Sequence, residues 1–279
     1  MKYNYLILLF ALSRTTDVWC SESLPLLPKY LPNSGETYSS FNLGRGDQQS
    51  TSTTYGTGPL GDPSTKVTSY LSSLSLLHGI TDSFRLGVNI PYNDVHSTNS
   101  TGTSTSAAGW GSPSLISSQD ILSSENELFS VGLQFVPKVG DTLFTRNQST
   151  YLLASYSRAL EDGLWGTVVA AYVARPGTKP DSTSITANLA KDMGRYSTSF
   201  GISASRTQDS HLNSNSLSER TTDWSLNAGI GGQFNRQWDW TVRYIHSLAR
   251  TYERLDSGTG YLDSKTTAGF LQISLLNRF

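Results

Sequence analysis

Thr266-Thr267-Ala268-Gly269-Phe270-Leu271-Gln272-Ile273-Ser274-Leu275-Leu276-Asn277-Arg278-Phe279 is the stretch whose reading decides the fold. Leu271, Ile273, Leu275 and Phe279 share one parity, and Gln272, Ser274 and Arg278 share the other. A period of two is the signature of a strand with one apolar and one polar face. Asn277 is the break, a polar residue in the apolar phase. In a soluble protein such a terminal strand would be an open, adhesive edge. In a closed barrel it pairs with the first strand and the edge disappears. An amphipathic last strand ending in Phe also resembles the signal read by the barrel-assembly machinery of the bacterial outer membrane. That machinery and the lipid of the outer membrane are therefore expected partners.

The composition agrees. The chain has 279 residues, a formal net charge of -1 and only 15% charged residues. Mean hydropathy is -0.31. The neutral balance leaves no footprint for nucleic acid. Beyond the N-terminus no run of 18 apolar residues suggests a membrane-spanning helix. A low average hydropathy without such a helix suits a membrane barrel, in which only alternate residues meet lipid. It also suits a secreted all-β protein. The single cysteine, Cys20, excludes an intramolecular disulfide and a cysteine-based zinc site.

Lys2 followed by the apolar run Tyr5 to Leu12 reads as a secretory signal. We assign residues 1–20 to the signal peptide, 21–38 to a proline-bearing periplasmic lead-in and 39–279 to the barrel. Amphipathic strands then recur. Phe84, Leu86, Val88, Ile90 and Tyr92 oppose Arg85, Gly87 and Asn89, with Pro91 expected to cap the strand. Phe129 to Phe135 alternate with Ser130, Gly132 and Gln134. Tyr196 to Ala204 alternate with serines and Gly201, Trp224 to Phe234 with Asp223, Asn227 and Gln233, and Trp238 to Tyr244 with Asp239, Thr241 and Arg243. Tyr151–Leu160 and Leu164–Ala174 are apolar on both faces and carry no phase. Asn93 to Ala108 reads as a long polar loop. Twelve strands result, and the connections alternate short and long. That is the arrangement of a barrel with short periplasmic turns and longer outer loops. The expected fold is an all-β, antiparallel, up-and-down transmembrane β-barrel of about 12 strands in the bacterial outer membrane.

The aromatic spacing gives the scale. Trp224 to Phe234 covers roughly 34 Å of strand at ~3.4 Å per residue, which a tilt of about 40° projects to ~26 Å, near the apolar band of such barrels. Phe84, Tyr92, Trp224, Phe234, Trp238 and Phe279 are the expected membrane-interface aromatics. Phe234, Trp238 and Phe279 fall on the periplasmic side, and Tyr92 and Trp224 on the outer side. The polar phase supplies pore-lining candidates: Arg85, Asn89, Gln134, Asp239, Arg243 and Arg278. Pore lining competes with plain filling of the barrel by ion pairs and hydrogen bonds.

The segment Gly79-Ile80-Thr81-Asp82 to Pro91-Tyr92, followed by Gly109-Trp110-Gly111-Ser112-Pro113, resembles the outer-membrane transporter-like family labelled as components of a meta-pathway of phenol degradation. That family has a turn of this kind, a strand ending in Pro-Tyr and a G-x-G-D segment, where this chain carries Ser112 in place of Asp. The matching motifs cover about forty residues. The resemblance implies a barrel and passage of small compounds, aromatic ones among them.

No residues point to catalysis, a cofactor or a metal. His96 and His211 are expected in polar loops and His78 at a turn. His246 is expected on the outer wall, as an interfacial residue. Gly229-x-Gly231-Gly232 lies inside a strand and is not a phosphate loop. The leading expectation is a channel or transporter for small solutes, of which the sequence does not name one. The alternatives are a non-conducting structural or surface-binding barrel and, third, a lipid-modifying enzyme built around His246.

Overall fold

A computed structural model of the chain describes residues 31–55, 64–139, 148–175, 181–207, 219–254 and 261–279. The expected signal peptide, Cys20 and His211 lie outside the described residues. The fold is all-β. Its strands are β1 (Thr37–Tyr55), β2 (Ser64–Gly79), β3 (Phe84–Asn99), β4 (Ser104–Trp110), β5 (Ser114–Ser123), β6 (Glu127–Val136) and β7 (Ser149–Glu161). There follow β8 (Leu164–Ala174), β9 (Ser182–Asp192), β10 (Tyr196–Thr207), β11 (Glu219–Gln233), β12 (Trp238–Arg254) and β13 (Tyr261–Arg278). Each pairs antiparallel with its neighbour, and β1 pairs with both β2 and β13. The sheet is thereby closed. Thr37 N–H donates to the Phe279 carbonyl at 2.8 Å, and Phe279 N–H donates to the Thr37 carbonyl at 2.9 Å. The last residue is thus tied to the first residue of the first strand.

β4 and β5 both pair with β3, β4 with its outer half and β5 with its inner half. Together they occupy one place in the wall, which makes a twelve-stranded barrel of thirteen strand segments. The register fixes its shape. Following paired residues once round from Phe84 through Gln119, Val131, Ala154, Ala170, Ile185, Ala204, Trp224, Leu248, Thr267, Gln49 and Lys66 returns to Thr98 on β3, a shift of 98 − 84 = 14 residues. Fourteen residues at ~3.4 Å against twelve strands at ~4.8 Å give a strand tilt of about 40°, and a wall roughly 24 Å across between backbones.

The exposed apolar side chains mark the outer surface. Phe41, Leu43, Leu86, Leu152, Val168, Ile185, Phe200, Leu226, Ile230, Tyr244, Leu271 and Ile273 are all exposed and share the outward phase of their strands. The opposite phase faces the lumen and is rich in Ser, Thr, Asn and Gly. Water on the outside would make this the wrong way round. Lipid makes it right, because a bilayer core solvates apolar groups and offers the backbone no hydrogen bonds.

The structure corrects two strand expectations. Pro91 does not cap its strand: β3 continues to Asn99, and the stretch read as a long polar loop is the outer half of β3, a hairpin at 100–103 and β4. The proline is tolerated because its neighbouring strand is interrupted at that level. Gly111 N–H donates to the Pro91 carbonyl at 2.9 Å, so the missing N–H of Pro91 faces the junction between β4 and β5. His96, expected in a loop, therefore lies on β3, where it contacts Asp94 at 3.2 Å. The junction itself carries an extra residue. Tyr92 pairs with Trp110 and Asn89 with Ser114, so three steps on β3 oppose four on the other side. The bulge switches phase: Trp110 is exposed outside and Ser114 is buried inside.

β7 and β8 resist phasing from sequence for a different reason. Their inward side chains, Tyr151, Leu153, Ala171 and Val173, are apolar and buried, while Leu152, Tyr156 and Val168 face out. The lumen has an apolar sector there.

On β13 the inward Phe270 is buried and lies over Gly44 and Gly46 of β1. A Cβ on Gly44 would sit 2.0 Å from the tip of the Phe270 ring, so only glycine leaves room for it. Gly44→Val should therefore lower the unfolding free energy of the vesicle-embedded barrel by about 1–3 kcal/mol, the usual range for overpacking. Urea titration, followed by the gel shift between folded and heated protein, measures it. Adding Phe270→Ala to the same chain should recover most of the loss.

Candidate functional site: the polar lumen

The six lumen candidates all lie in the inward phase, and the structure gathers three of them into two clusters at the end of the barrel that carries the described N-terminal segment and Phe279. In the first, Arg85 of β3 and Asp120 of β5 are both buried. Arg85 donates from Nη1 and Nη2 to the two carboxylate oxygens of Asp120, each at 2.8 Å. Its Nε donates to the Pro32 carbonyl at 3.0 Å and its Nη2 also to the Asp82 carbonyl at 3.1 Å. Ser130 Oγ donates to Asp120 at 2.6 Å. A charge this deep persists only when every donor is engaged, and here the planar guanidinium meets a carboxylate in a two-point contact. The bond to Pro32, itself fully buried, pins that residue inside the wall ahead of β1, while Asn33 to Gly35 are exposed and Ser34 and Gly35 bond to the turn between β2 and β3.

In the second cluster Arg278 of β13 pairs with the buried Asp239 of β12, and its guanidinium lies 5.5 Å from the centre of the Tyr38 ring. Asn89 and Gln134 are separate. Asn89 accepts a hydrogen bond from Ser75 Oγ at 2.8 Å. Gln134 donates to Ser114 Oγ at 3.0 Å, while its Oε1 is buried with no partner in the protein. Arg243 of β12 stands in register between Gly229 and Gln272, deeper in the barrel than Arg278.

The aromatic candidates are outside, where parity places them. Tyr92 is the last apolar residue on the outward face of β3 before Asp94, and it packs edge-on against Trp110 with ring centres 5.2 Å apart. Trp224 is exposed beneath Thr222. At the opposite rim Phe234, Trp238 and Phe279 are exposed, and Phe84 opens β3. His246 faces outward with Leu226 and Gly269 as its direct cross-strand neighbours, and the Tyr244 hydroxyl reaches over Gly269. His78 accepts or donates a hydrogen bond to Thr37 Oγ1 at 2.8 Å. Among the described residues no group of three His, Cys, Asp or Glu could hold a metal ion.

Sequence reasoning missed the inner row. Thr167, Asn188, Gly201, Asn227, Ile245 and Phe270 are consecutive partners across β8 to β13, and all are buried. Asn188 and Asn227 flank Gly201 and reach over it. A Cβ on Gly201 would lie 1.8 Å from Asn188 Oδ1 and 2.7 Å from Asn227 Nδ2. Asn188 Oδ1 and both amide atoms of Asn227 have no partner in the protein. Each such atom, left dry, costs about 1–3 kcal/mol. The available signal was two amides in a phase otherwise built of Ser, Thr and Gly. Asp120, the partner of Arg85, was also missed, because the register shift between Asp120 and Leu122 breaks the alternation of β5.

No family model and no curated protein matches the chain. Solved structures do. An outer membrane channel from Pseudomonas putida F1 aligns over 91% of this chain and 99% of its own, with a TM-score of 0.66 and 15% identity. The translocator domain of the autotransporter NalP from Neisseria meningitidis aligns over 96% of both chains, with a TM-score of 0.51 and 11% identity. What they share with this chain is the fold. It is a transmembrane β-barrel of the bacterial outer membrane. The KdgM porin aligns more weakly, over 82% of this chain and 97% of its own, with a TM-score of 0.47 and 9% identity.

Removing one partner of a buried ion pair leaves the other uncompensated. Asp120→Ala should destabilise the folded barrel by about 3–5 kcal/mol in urea titration. Arg85→Lys should fall between that variant and the unchanged protein, because an ammonium keeps the charge and loses the two-point contact.

Proposed function

We propose that the barrel is a channel for small solutes, aromatic or hydrophobic compounds among them. The observation that carries this reading is the make-up of the inward face of β9 to β11. Ser184, Thr186, Asn188, Ser197, Ser199, Gly201, Ser203, Ser205, Ser225, Asn227, Gly229 and Gly231 are too small to fill a wall roughly 24 Å across. A barrel whose interior served only for packing would carry larger side chains on that arc. The adjoining arc, Tyr151 and Leu153 of β7 with Ala171 and Val173 of β8, is apolar. A lumen wall in which a polar and an apolar stretch stand side by side accommodates solutes that have both characters, and the family resemblance around Gly79 to Tyr92 points to the same class. Arg85, Asn89, Gln134, Asp239, Arg243 and Arg278 line this path, with the charged pairs concentrated near one mouth. The outward aromatics from Phe84 to Phe279 seat the wall in the two lipid interfaces. The terminal strand β13 is the segment offered to the assembly machinery.

A second reading, a non-conducting barrel, is favoured by Pro32. Its burial and the bond from Arg85 hold this one residue of the segment ahead of β1 inside the wall at the mouth. The two readings separate in a planar bilayer. Purified, folded protein should produce discrete current steps, and small aromatic acids should reduce them. A silent bilayer, with folding verified by heat-modifiable gel migration, would overturn the channel and leave the plugged barrel.

A further inference from the structure

We infer that Asn188 and Asn227, converging over Gly201, form a binding site within the lumen for a small neutral solute that carries a hydroxyl or carbonyl head on a compact apolar body. The inference rests on the channel reading and names the solute chemistry for it. Asn227 is 1% exposed and Asn188 5% exposed. Three of their amide atoms have no hydrogen-bond partner in the protein. Buried polar atoms in folded proteins are paired, with rare exceptions, and three such atoms converging on one point call for a group from outside the chain, water or solute, to complete the set. The geometry is built for convergence. Gly201 pairs with Asn188 on one side and with Asn227 on the other. Its missing side chain is what lets both amides approach one point, since a Cβ there would lie 1.8 Å and 2.7 Å from them.

The chemistry of the occupant follows from the donor set. Two primary amides present N–H and C=O groups together, which matches a hydroxyl, itself both donor and acceptor. The flanking members of the row, Thr167, Ile245 and Phe270, carry no charge. An ion brought there gives up its hydration without a counter-charge from the row. Arg243, one row away, has interactions of its own within the protein. Ile245 is the direct partner of Asn227, and Phe270 is the direct partner of Ile245. Both are buried. Two strand spacings, about 10 Å, separate Asn227 from Phe270. The Phe270 ring itself lies a strand further on, over Gly44 and Gly46 of β1, so the head sits on the asparagines and the compact body on Ile245.

The test is equilibrium binding to the purified, folded barrel in detergent, by calorimetry with benzyl alcohol, benzoate and toluene as probes. It does not depend on conduction. Benzyl alcohol should bind at least tenfold more tightly than either of the others. In Asn188→Leu/Asn227→Leu that preference over toluene should fall to within about twofold. Gly201→Ala, which crowds the amides apart, should weaken benzyl alcohol alone; it serves as the second variant if the double one fails the heat-modifiability check. Unchanged affinity for benzyl alcohol in the variants, a preference for benzoate, or no binding of any probe would overturn the proposal. A conducting barrel whose alcohol affinity ignores both asparagines keeps the channel and loses the site. A silent barrel that binds the alcohol through them keeps the site and loses the channel.

Discussion

Every backbone N–H and C=O that meets the bilayer core must find its partner within the protein, and the rest of this structure follows from that requirement. It is met by closure. β13 lies along β1 over its whole length, and the bonds between Thr37 and Phe279 complete the seam at its lower end. Once the circle is closed, the register of twelve strand positions sets the tilt, the tilt sets the width, and the width decides how much of the interior side chains fill. Neighbouring glycines on β1 make space for Phe270 at this same seam, so closure and lumen packing are locally one problem.

Inside, polar groups are handled in two ways. Arg85 with Asp120, and Arg278 with Asp239, are full charges in a poorly solvated setting, and each is neutralised by a partner on a nearby strand. The neutral amides farther along the lumen are treated differently. Gln134 Oε1, Asn188 Oδ1 and Asn227 are presented without a protein partner. In these two pairs the net charge is cancelled within the wall, whereas the three amides keep neutral hydrogen-bonding capacity.

Much of this was legible before any coordinates. Strands such as Trp224–Phe234 and Phe129–Phe135 have lipid on one side and polar lumen on the other, so parity alone separates their faces. It also places Arg85, Asp239 and Arg278 inside. Parity fails where the two environments are alike. Along β7 and β8 both sides are apolar, since the lumen carries Tyr151, Leu153, Ala171 and Val173. Above Tyr92 both sides of β3 and β4 are polar, and the strands pass for a loop. It fails again at Gly111 to Pro113 and at Asp120 to Leu122, where an irregular step reverses the phase and conceals Asp120. The Asn188–Gly201–Asn227 row is a product of register between distant segments. No local pattern holds that information.

The shift of fourteen residues round the wall is an even number. A circuit that starts on the outward face at Phe84 therefore ends on the outward face at Thr98. For a lineage of such proteins this is a rule about permissible changes in length. Adding or deleting a single residue within one strand would turn part of that strand inside out, with leucines in the lumen and serines in lipid. Such a change survives only when an irregular step absorbs it locally, as at the junction of β4 and β5. Changes in pairs keep every face correct, and the outer loops are free of the restriction. Drift in this barrel should therefore accumulate in its loops and, within the wall, by twos.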